Sequence, residues 1–325
     1  MTEITGCRAV VAASLALLAP AAASADCKLL QIAEFHVDPS SQSPVVDGAL
    51  NGQPVKVLID TGASFSTVRR DEALRLGLPT YGLNGVRSRI DDASSAYSAR
   101  ISRFSLGDLT KTNLELQVAT EAGQRLDASV VLGDDFLAKV TVEFDLAQGA
   151  MRLFHPEGCA PAQLVYWGAS YSQATMLAAD PAAPVIEAYV QVNGQQVLAE
   201  LASGTYPSVI DASAASAAGA TGPGGEAVAA GMSGAPGDAS WTGKFASFAF
   251  GDEKVSNVKL QVGAVAPRVD YTPTGGLIRQ NSPAILIGAD FLHAHRVIVD
   301  PQDHLLMFSY VGGPVFSTAA RSASR

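Results

Sequence analysis

The sequence has few cysteines, no cluster of basic residues and no long apolar run beyond its N-terminal segment. Only three cysteines occur in 325 residues, and the net charge is −9. Because nucleic-acid-binding domains present a basic patch, this acidic balance argues against a nucleic-acid partner. No apolar stretch of about 18–20 residues follows the N-terminus, so we expect no membrane span in the mature chain. With 48% apolar and 16% charged residues, the composition is that of a globular protein long enough for two domains.

The first 25 residues have the pattern of a secretory signal peptide. Arg8 precedes an apolar stretch over 9–23, and the end of that stretch, Ala-Ser-Ala, has the small-x-small form that signal peptidase recognises. An N-terminal membrane anchor is the alternative, but the run is short for one. We therefore expect 1–25 to be removed after Ala25 and the mature protein to be exported, with a bacterial periplasm as the fitting compartment.

The cysteines suggest one disulfide. Removal of the signal peptide would delete Cys7 and leave Cys27 and Cys159. An even pair in an exported protein favours a bridge between them, although two unpaired thiols are the alternative.

The chain repeats itself. Asn51-Gly52 aligns with Asn193-Gly194, and Gly62 with Gly204, both at an offset of 142 residues. Further downstream the same order of matched blocks continues, ending in Leu-Gly-Asp-Asp-Phe-Leu at 132–137 and Ile-Gly-Ala-Asp-Phe-Leu at 287–292. So many matched blocks in one order indicate a tandem duplication.

Each copy consists mainly of short apolar or alternating runs bounded by Gly, Asn and Asp, which is typical of antiparallel strands. The Asn-Gly pairs between such runs predict tight hairpins. Runs of this kind cover 55–59, 114–119, 140–145 and 298–300, while short helices are predicted over 70–76, 135–138 and 290–293. We expect a first lobe over 28–158, an inter-lobe linker over 159–179, a second lobe over 180–312 and a flexible tail over 313–325.

One combination of motifs resembles a known family. Two apolar residues and Asp-Thr-Gly-Ala-Ser occupy 58–64, and two apolar residues followed by Gly-x-Asp-Phe-Leu occupy 131–137. In this order, and echoed in the second copy, they resemble the retropepsin-like aspartic proteases, in the exported two-lobed form known from bacteria. The resemblance implies an all-β fold of two pseudo-symmetric β-barrel lobes with few short helices and a cleft between them. It also implies a monomer that acts on an extended peptide or protein without a cofactor.

The resemblance assigns roles to residues of both turns. In the family two aspartates, one from each lobe, share a proton and activate water, because like charges about 3 Å apart cannot both ionise. Asp60 would be one of them. The supporting positions would be Thr61, Gly62, Ser203 and Gly204, and substrate-covering flaps around 87–98 and 230–241 would bring Tyr97 and Trp241 over the peptide.

The second turn departs from the pattern, because the partner of Asp60 at the offset of 142 is Ala202. A methyl group can neither hold nor donate a proton, so Asp60 would be an ionised base without a matching acid. Glu200 lies on the same strand face as position 202, but we expect it to be an exposed edge carboxylate. The alanine is compatible with an introduced change, with a natural pseudoprotease, or with two chains each contributing Asp60.

The sequence thus predicts an aspartic endopeptidase of envelope proteins whose activity is weak or absent as written. The alternative is a pseudoprotease that binds extended peptides in the same cleft without cleaving them. His293 and His295 have the spacing of a metal pair, but the five histidines are scattered and no third ligand lies near, so no metal is expected.

Overall fold

The structure is a computed structural model that describes residues 26–82, 97–119, 128–179, 184–220, 241–265, 269–271, 277–279 and 282–317. The predicted signal peptide and most of both predicted flaps lie outside these ranges. Within them, no helix is long and apolar enough to cross a membrane.

The first half of the chain is built from short strands and two short helices. In chain order these are β1 (Lys28–His36), β2 (Val45–Leu50), β3 (Gln53–Ile59), β4 (Thr67–Arg69), α1 (Arg70–Arg75), β5 (Thr80–Gly82), β6 (Tyr97–Leu106), β7 (Leu109–Ala119), β8 (Val130–Leu132), α2 (Asp134–Leu137), β9 (Thr141–Asp145) and β10 (Ala150–Glu157). A 3-10 turn over Leu146–Gln148 joins the last two strands.

The elements of the second half are α3 (Pro161–Leu164), β11 (Ser172–Thr175), β12 (Glu187–Val192), β13 (Gln195–Leu201), β14 (Val209–Asp211), α4 (Ala212–Ala217), β15 (Trp241–Phe250), β16 (Glu253–Gly263), β17 (Val269–Tyr271), β18 (Leu277–Arg279), β19 (Ile285–Ile287), α5 (Ala289–Ala294), β20 (His295–Asp300) and β21 (Leu305–Tyr310). The second half has the same order as the first from its second strand onward, except that, among the described residues, no strand corresponds to β5 and β17 and β18 are additional.

Each half closes a six-stranded barrel. In the first barrel the order is β2-β3-β8-β4-β7-β6, closed by pairing of β2 with β6, and β5 adds to β6. The second barrel has the equivalent order β12-β13-β19-β14-β16-β15. Alternate residues of a strand face the interior, as in β12, where Ala188, Val190 and Val192 are buried while Tyr189 and Gln191 are exposed.

The Asn-Gly hairpins have the predicted conformation. Asn51 and Asn193 both have φ of 51°, and Gly52 and Gly194 have φ of 82° and 81°. Positive φ at both central residues is the type I′ arrangement, which matches the twist of the flanking strands. These turns fix the register of β2 on β3 and of β12 on β13, and hence where each of β3 and β13 ends.

A third sheet joins the two halves. Its order is β1-β10-β9-β20-β21-β11. The first three strands come from the first half and the last three from the second half, and the two sets meet where β9 pairs with β20. The strand β11 and the helix α3 lie in the segment that we predicted to be a linker. The linker residue Leu164 is buried against Ile298 and Met307 of the sheet.

The outer face of this sheet carries a buried charge network. Glu143 is fully buried and accepts hydrogen bonds from Arg152 at 2.6 Å, from Arg296 at 3.0 Å and from the hydroxyl of Tyr166 at 2.7 Å. A buried carboxylate is tolerated when charged donors compensate its lost hydration. Since the donors come from β10, β20 and the linker, the network ties both halves together.

The predicted disulfide is confirmed. Cys27 and Cys159 are bonded, with their Cα atoms 4.3 Å apart, and the bond closes a loop across 132 positions of sequence. It anchors the start of the edge strand β1 to the end of the first copy.

The fold class is as predicted: an all-β protein of two pseudo-symmetric barrels with few, short helices. The predicted helices over 70–76, 135–138 and 290–293 correspond to α1, α2 and α5. The helix α4, the counterpart of α1, was not predicted. Its Ala-Ser-Ala-Ala-Ser-Ala sequence has no amphipathic period to reveal it.

Candidate active site

The two turns singled out by the sequence meet at the junction of the barrels. The first turn, residues 60–63, follows β3, and the second turn, residues 202–205, follows β13. Each is held against the strand behind it by an equivalent bond: Asp60 N–H donates to Leu132 O at 3.0 Å, and Ala202 N–H donates to Ile287 O at 2.8 Å. The backbone of the second turn therefore keeps the arrangement of the first.

The hydroxyl groups of the two turns bond to each other's backbone. Thr61 Oγ1 donates to Leu201 O at 2.5 Å and accepts from Ser203 N–H at 3.1 Å. In return, Ser203 Oγ donates to Ile59 O at 2.8 Å and accepts from Thr61 N–H at 3.0 Å. Both residues are fully buried, so every one of these polar groups depends on the other turn for its partner. We call this set of four bonds the cross-brace.

The carboxylate of Asp60 is oriented by one amide from each turn. Its Oδ1 accepts from Gly62 N–H at 2.9 Å and from Gly204 N–H at 3.0 Å. Hydrogen bonds from amide donors favour the ionised form of a carboxylate. A Cβ at Gly204 would collide with the carboxylate of Asp60, so only glycine lets this amide approach.

Position 202 offers no carboxylate to the site. Ala202 is 3% exposed, and a Cβ built on Gly62 would lie 2.8 Å from its methyl group. The methyl group therefore sits beside Gly62 of the first turn.

Glu200 does not have the predicted environment. We expected an exposed edge carboxylate, but Glu200 is only 5% exposed. Nor does Glu200 lie on an edge, because β13 pairs with β12 on one side and β19 on the other. Alternation along the strand places Glu200 on the face opposite to the core residues Ala199 and Leu201.

A serine and an aspartate support each turn from behind. In the first copy Ser66 Oγ donates to Asp135 at 2.6 Å and accepts from Gly133 N–H at 3.0 Å. A Cβ at Gly133 would collide with the carbonyl of Ala63, which shows how closely this segment approaches the first turn.

The second copy has the same support. Ser208 Oγ donates to Asp290 at 2.5 Å and accepts from Gly288 N–H at 2.8 Å. We did not predict these roles, although a signal existed: Ser66 and Ser208 stand at the same offset of 142, and both aspartates belong to the repeated Gly-x-Asp-Phe-Leu motif.

Asp290 differs from Asp135 in its further contacts. It also accepts from the backbone N–H of Ser317 at 2.9 Å, and burial raises its pKa above the ordinary value although these hydrogen bonds oppose the shift. Nearby, Phe316 packs edge-on against Phe248 with ring centroids 4.8 Å apart. Residues up to Ser317 are therefore attached to the second barrel, in contrast to the free tail expected from 313 onward. The remainder, 318–325, lies outside the described residues.

Tyr97 and Trp241 occupy equivalent positions as the first residues of β6 and β15. Tyr97 is 8% exposed, lies opposite Val118 and has the guanidinium of Arg70 5.9 Å from its ring centroid. Trp241 is half-buried opposite Val262. The rest of both predicted flaps, 87–96 and 230–240, lies outside the described residues, so the flap roles stay predictions.

The two histidines with metal-like spacing serve other contacts. His293 Nε2 lies 2.9 Å from Ser41 O, whereas His295 is fully buried with its ring nitrogens at Phe291 O and Glu253. Among the residues that the structure describes, no group of three potential metal ligands occurs.

Residues 46–136 match a family model described as aspartyl protease. The structure is similar to the aspartic proteinase from Irpex lacteus, with 12% identity, a TM-score of 0.45 and coverage of 89% of this chain and 99% of that chain. It is also similar to a retropepsin-like aspartic protease from Rickettsia conorii, with 17% identity, a TM-score of 0.28 and coverage of 40% and 95% respectively. No curated protein matched the sequence.

Proposed function

Because the chain has a retropepsin-like aspartic protease fold, we propose that it is an aspartic endopeptidase with one catalytic carboxylate missing, which retains weak or no cleavage activity. The observation that supports this proposal is the retention of the second turn. Its strand-end bond, its half of the cross-brace and its glycine donor are all in place around Ala202. The second turn therefore lacks one side chain but keeps its backbone structure.

In the proposed reaction an extended peptide lies across the two turns with its scissile carbonyl above Asp60. The ionised Asp60 takes a proton from a water molecule, whose oxygen attacks the carbonyl carbon. The proton then passes to the leaving amide nitrogen as the tetrahedral intermediate breaks. Thr61 and Ser203 hold the turns together, while Gly62 and Gly204 orient the carboxylate.

The missing step is polarisation of the carbonyl oxygen by an acid at position 202. A positioned acid or base contributes about 10²–10⁴-fold to a rate. With a methyl group in its place, the negative charge that develops on the carbonyl oxygen has no proton donor from the second turn. This is the physical reason for expecting weak or absent cleavage.

The second candidate is a binding protein that holds extended peptides without cleaving them. The burial of Ala202 beside Gly62 favours it, because the space next to the first turn is already occupied by a packed methyl group. Both candidates use the same groove and the same ligand class. They differ in whether an aspartate introduced at position 202 would give cleavage activity.

The decisive experiment compares this chain with Ala202→Asp on a library of unstructured peptides at pH 4 to 8. The proposal predicts at least about 100-fold faster cleavage by the Asp variant, abolished by adding Asp60→Asn. Ala202→Asn is the matched control, because asparagine has nearly the same shape as aspartate but cannot supply a proton. If neither the unchanged chain nor Ala202→Asp cleaves peptides, but both bind them, the second candidate function is correct and the protein is a peptide-binding protein.

We further propose that the protein is an exported monomer that acts in the periplasm, with lobes over 28–158 and 180–312 and a signal peptide cleaved after Ala25. The bond between Cys27 and Cys159 supports an oxidising compartment. N-terminal sequencing of the protein purified from cells, together with its mass by light scattering, tests these points. A mature chain that begins before Asp26, or a dimer at micromolar concentration, would contradict them.

A further inference from the structure

A cavity lies on the outer surface of the second barrel. Its volume is about 480 Å³, within the range of small-molecule sites. It is bordered by the β12–β13 hairpin, by the second residue after α4 and by the β15–β16 ladder. The lining residues are Asn193, Gly219, Lys244, Phe245, Ala246, Asn257, Val258 and Lys259.

Two lysines stand directly opposite each other in this cavity. Lys244 of β15 is paired with Lys259 of β16, and both side chains are exposed. Side chains at directly opposed positions lie on the same face of a sheet, and like charges there are destabilising. No ion pair or hydrogen bond joins either lysine side chain to another residue in the described ranges. The neighbouring same-face positions on the two strands carry no carboxylate: they are Thr242, Ala246, Asn257 and Gln261.

The first barrel balances its charges at the equivalent positions. There Arg100 is paired with Glu115, so opposite charges face each other. The guanidinium of Arg100 also lies 4.5 Å from the ring centroid of Tyr81, and Glu115 accepts from Ser98 Oγ at 2.5 Å. The duplication thus carries a compensated pair in one copy and an uncompensated cationic pair in the other, within a chain whose net charge is −9.

We propose that this cavity binds a small phosphate-class dianion, either inorganic phosphate or the monoester of a small alcohol. Two ammonium groups supply the charge, and the Asn257 amide at the cavity wall can add a neutral donor. A phosphate offers three accepting oxygens and up to two negative charges, whereas a carboxylate offers two oxygens and one charge. Phe245 and Val258 also line the cavity, and both residues belong to the buried core of the barrel.

The rim of the cavity is pre-formed. Asn193 donates to Ala218 O at 2.7 Å and accepts from Ser247 N–H at 3.0 Å, which connects the hairpin to the end of α4 and to β15. Binding therefore requires only the two lysine stems to converge, so the ordering cost is confined to two flexible side chains.

The test is calorimetric titration of the full chain at low ionic strength with inorganic phosphate and, separately, with glycerol 3-phosphate. Lys259→Glu recreates the charge arrangement of the first barrel and should weaken binding at least about tenfold. Lys254→Glu changes the net charge equally on an exposed position of the same hairpin outside the cavity, and should change affinity less than about twofold. A stronger signal for glycerol 3-phosphate would identify the monoester as the ligand class, and equal signals would identify the inorganic ion.

Thermal unfolding shows whether the variant is intact: Lys259→Glu should unfold at the same or a higher temperature, because it replaces a repulsive pair with an attractive one. Phosphate should raise the unfolding temperature of the unchanged chain but not of Lys259→Glu. The proposal is wrong if neither compound binds the unchanged chain, or if Lys254→Glu weakens binding as much as Lys259→Glu does.

Discussion

The first and second turns have the same backbone bonds and differ in the side chain that they present. Each turn is fixed to the strand behind it, each supplies two bonds to the cross-brace, and each gives one amide to the carboxylate of Asp60. Only the first turn carries that carboxylate. The comparison shows that the requirements of the fold and of the chemistry are separate here, because the backbone and hydroxyl contacts that join the turns are present with a methyl group at position 202.

The support behind the turns differs in a second way. Asp135 bonds to Ser66, while Asp290 bonds to Ser208 and also to the backbone of Ser317 near the C-terminal end of the described chain. The second copy therefore depends on a distant segment, and no equivalent contact to Asp135 occurs among the described residues of the first copy. This asymmetry predicts different responses of the two copies to the same substitutions.

The largest expected loss of stability comes from the cross-brace. Thr61→Val would leave Leu201 O and Ser203 N–H buried without that hydroxyl, and Ser203→Ala would do the same to Ile59 O and Thr61 N–H. Each should lower the free energy of unfolding by about 1–3 kcal/mol, measured by urea unfolding. The double variant should cost less than the sum, since the two hydroxyls act on the same junction. Thr110→Val, at an exposed position of β7, is the control; additive costs would show that the turns are independent.

The next largest loss of stability is expected from alanine substitutions at Gly62 and Gly204, which should differ in how they can be rescued. Gly204→Ala places a methyl group on the carboxylate of Asp60 and should cost about 1–3 kcal/mol of overpacking. Gly62→Ala meets the methyl of Ala202 at 2.8 Å instead. Adding Ala202→Gly should therefore restore the unfolding temperature of Gly62→Ala but not that of Gly204→Ala. Rescue of both, or of neither, would contradict this account of the contacts.

A smaller effect is expected in the pH dependence of stability. Burial raises the pKa of Asp290 above its ordinary value of 3.8, so the folded state binds this proton more tightly than the unfolded state. Its contribution is fully present below that value and is lost as pH rises through the raised pKa of the folded protein. Urea unfolding across pH 4 to 7 should show a smaller fall in stability for Asp290→Asn than for the unchanged chain. Asp135→Asn is the matched variant in the first copy; if it flattens the profile equally, the asymmetry is wrong.

The smallest effect concerns the exposed pairs on the two barrels. Glu115→Lys in the first barrel should lower stability, and Lys259→Glu in the second should raise it, each by about 0.2–1 kcal/mol. Both differences in stability should become smaller at high salt, because exposed charges are screened. Equal signs for the two variants in thermal unfolding would show that the pairs do not control local stability.

Much of the fold was predictable because its signals are local. The Asn-Gly hairpins, the alternating strands and the helices after the turns depend on the properties of neighbouring residues, and the structure has them at the predicted positions. The helix α4 escaped prediction because its small, unpatterned residues carry no periodic signal. Glu200 was misplaced because a carboxylate normally implies exposure, whereas here β13 has neighbours on both sides.

The sequence by itself determined the duplication and the unequal turns at Asp60 and Ala202, and it favoured the pairing of Cys27 with Cys159 that the structure confirms. These follow from residue identity and spacing along the chain. Only the tertiary structure decided that Thr61 and Ser203 exchange bonds, that Ser317 reaches Asp290, and that Lys244 faces Lys259. Such contacts depend on how barrels close and how two copies dock, since a hydrogen bond is specific only once both partners are held within about 3 Å. The sequence alone does not show which residues 142 positions apart come within this distance.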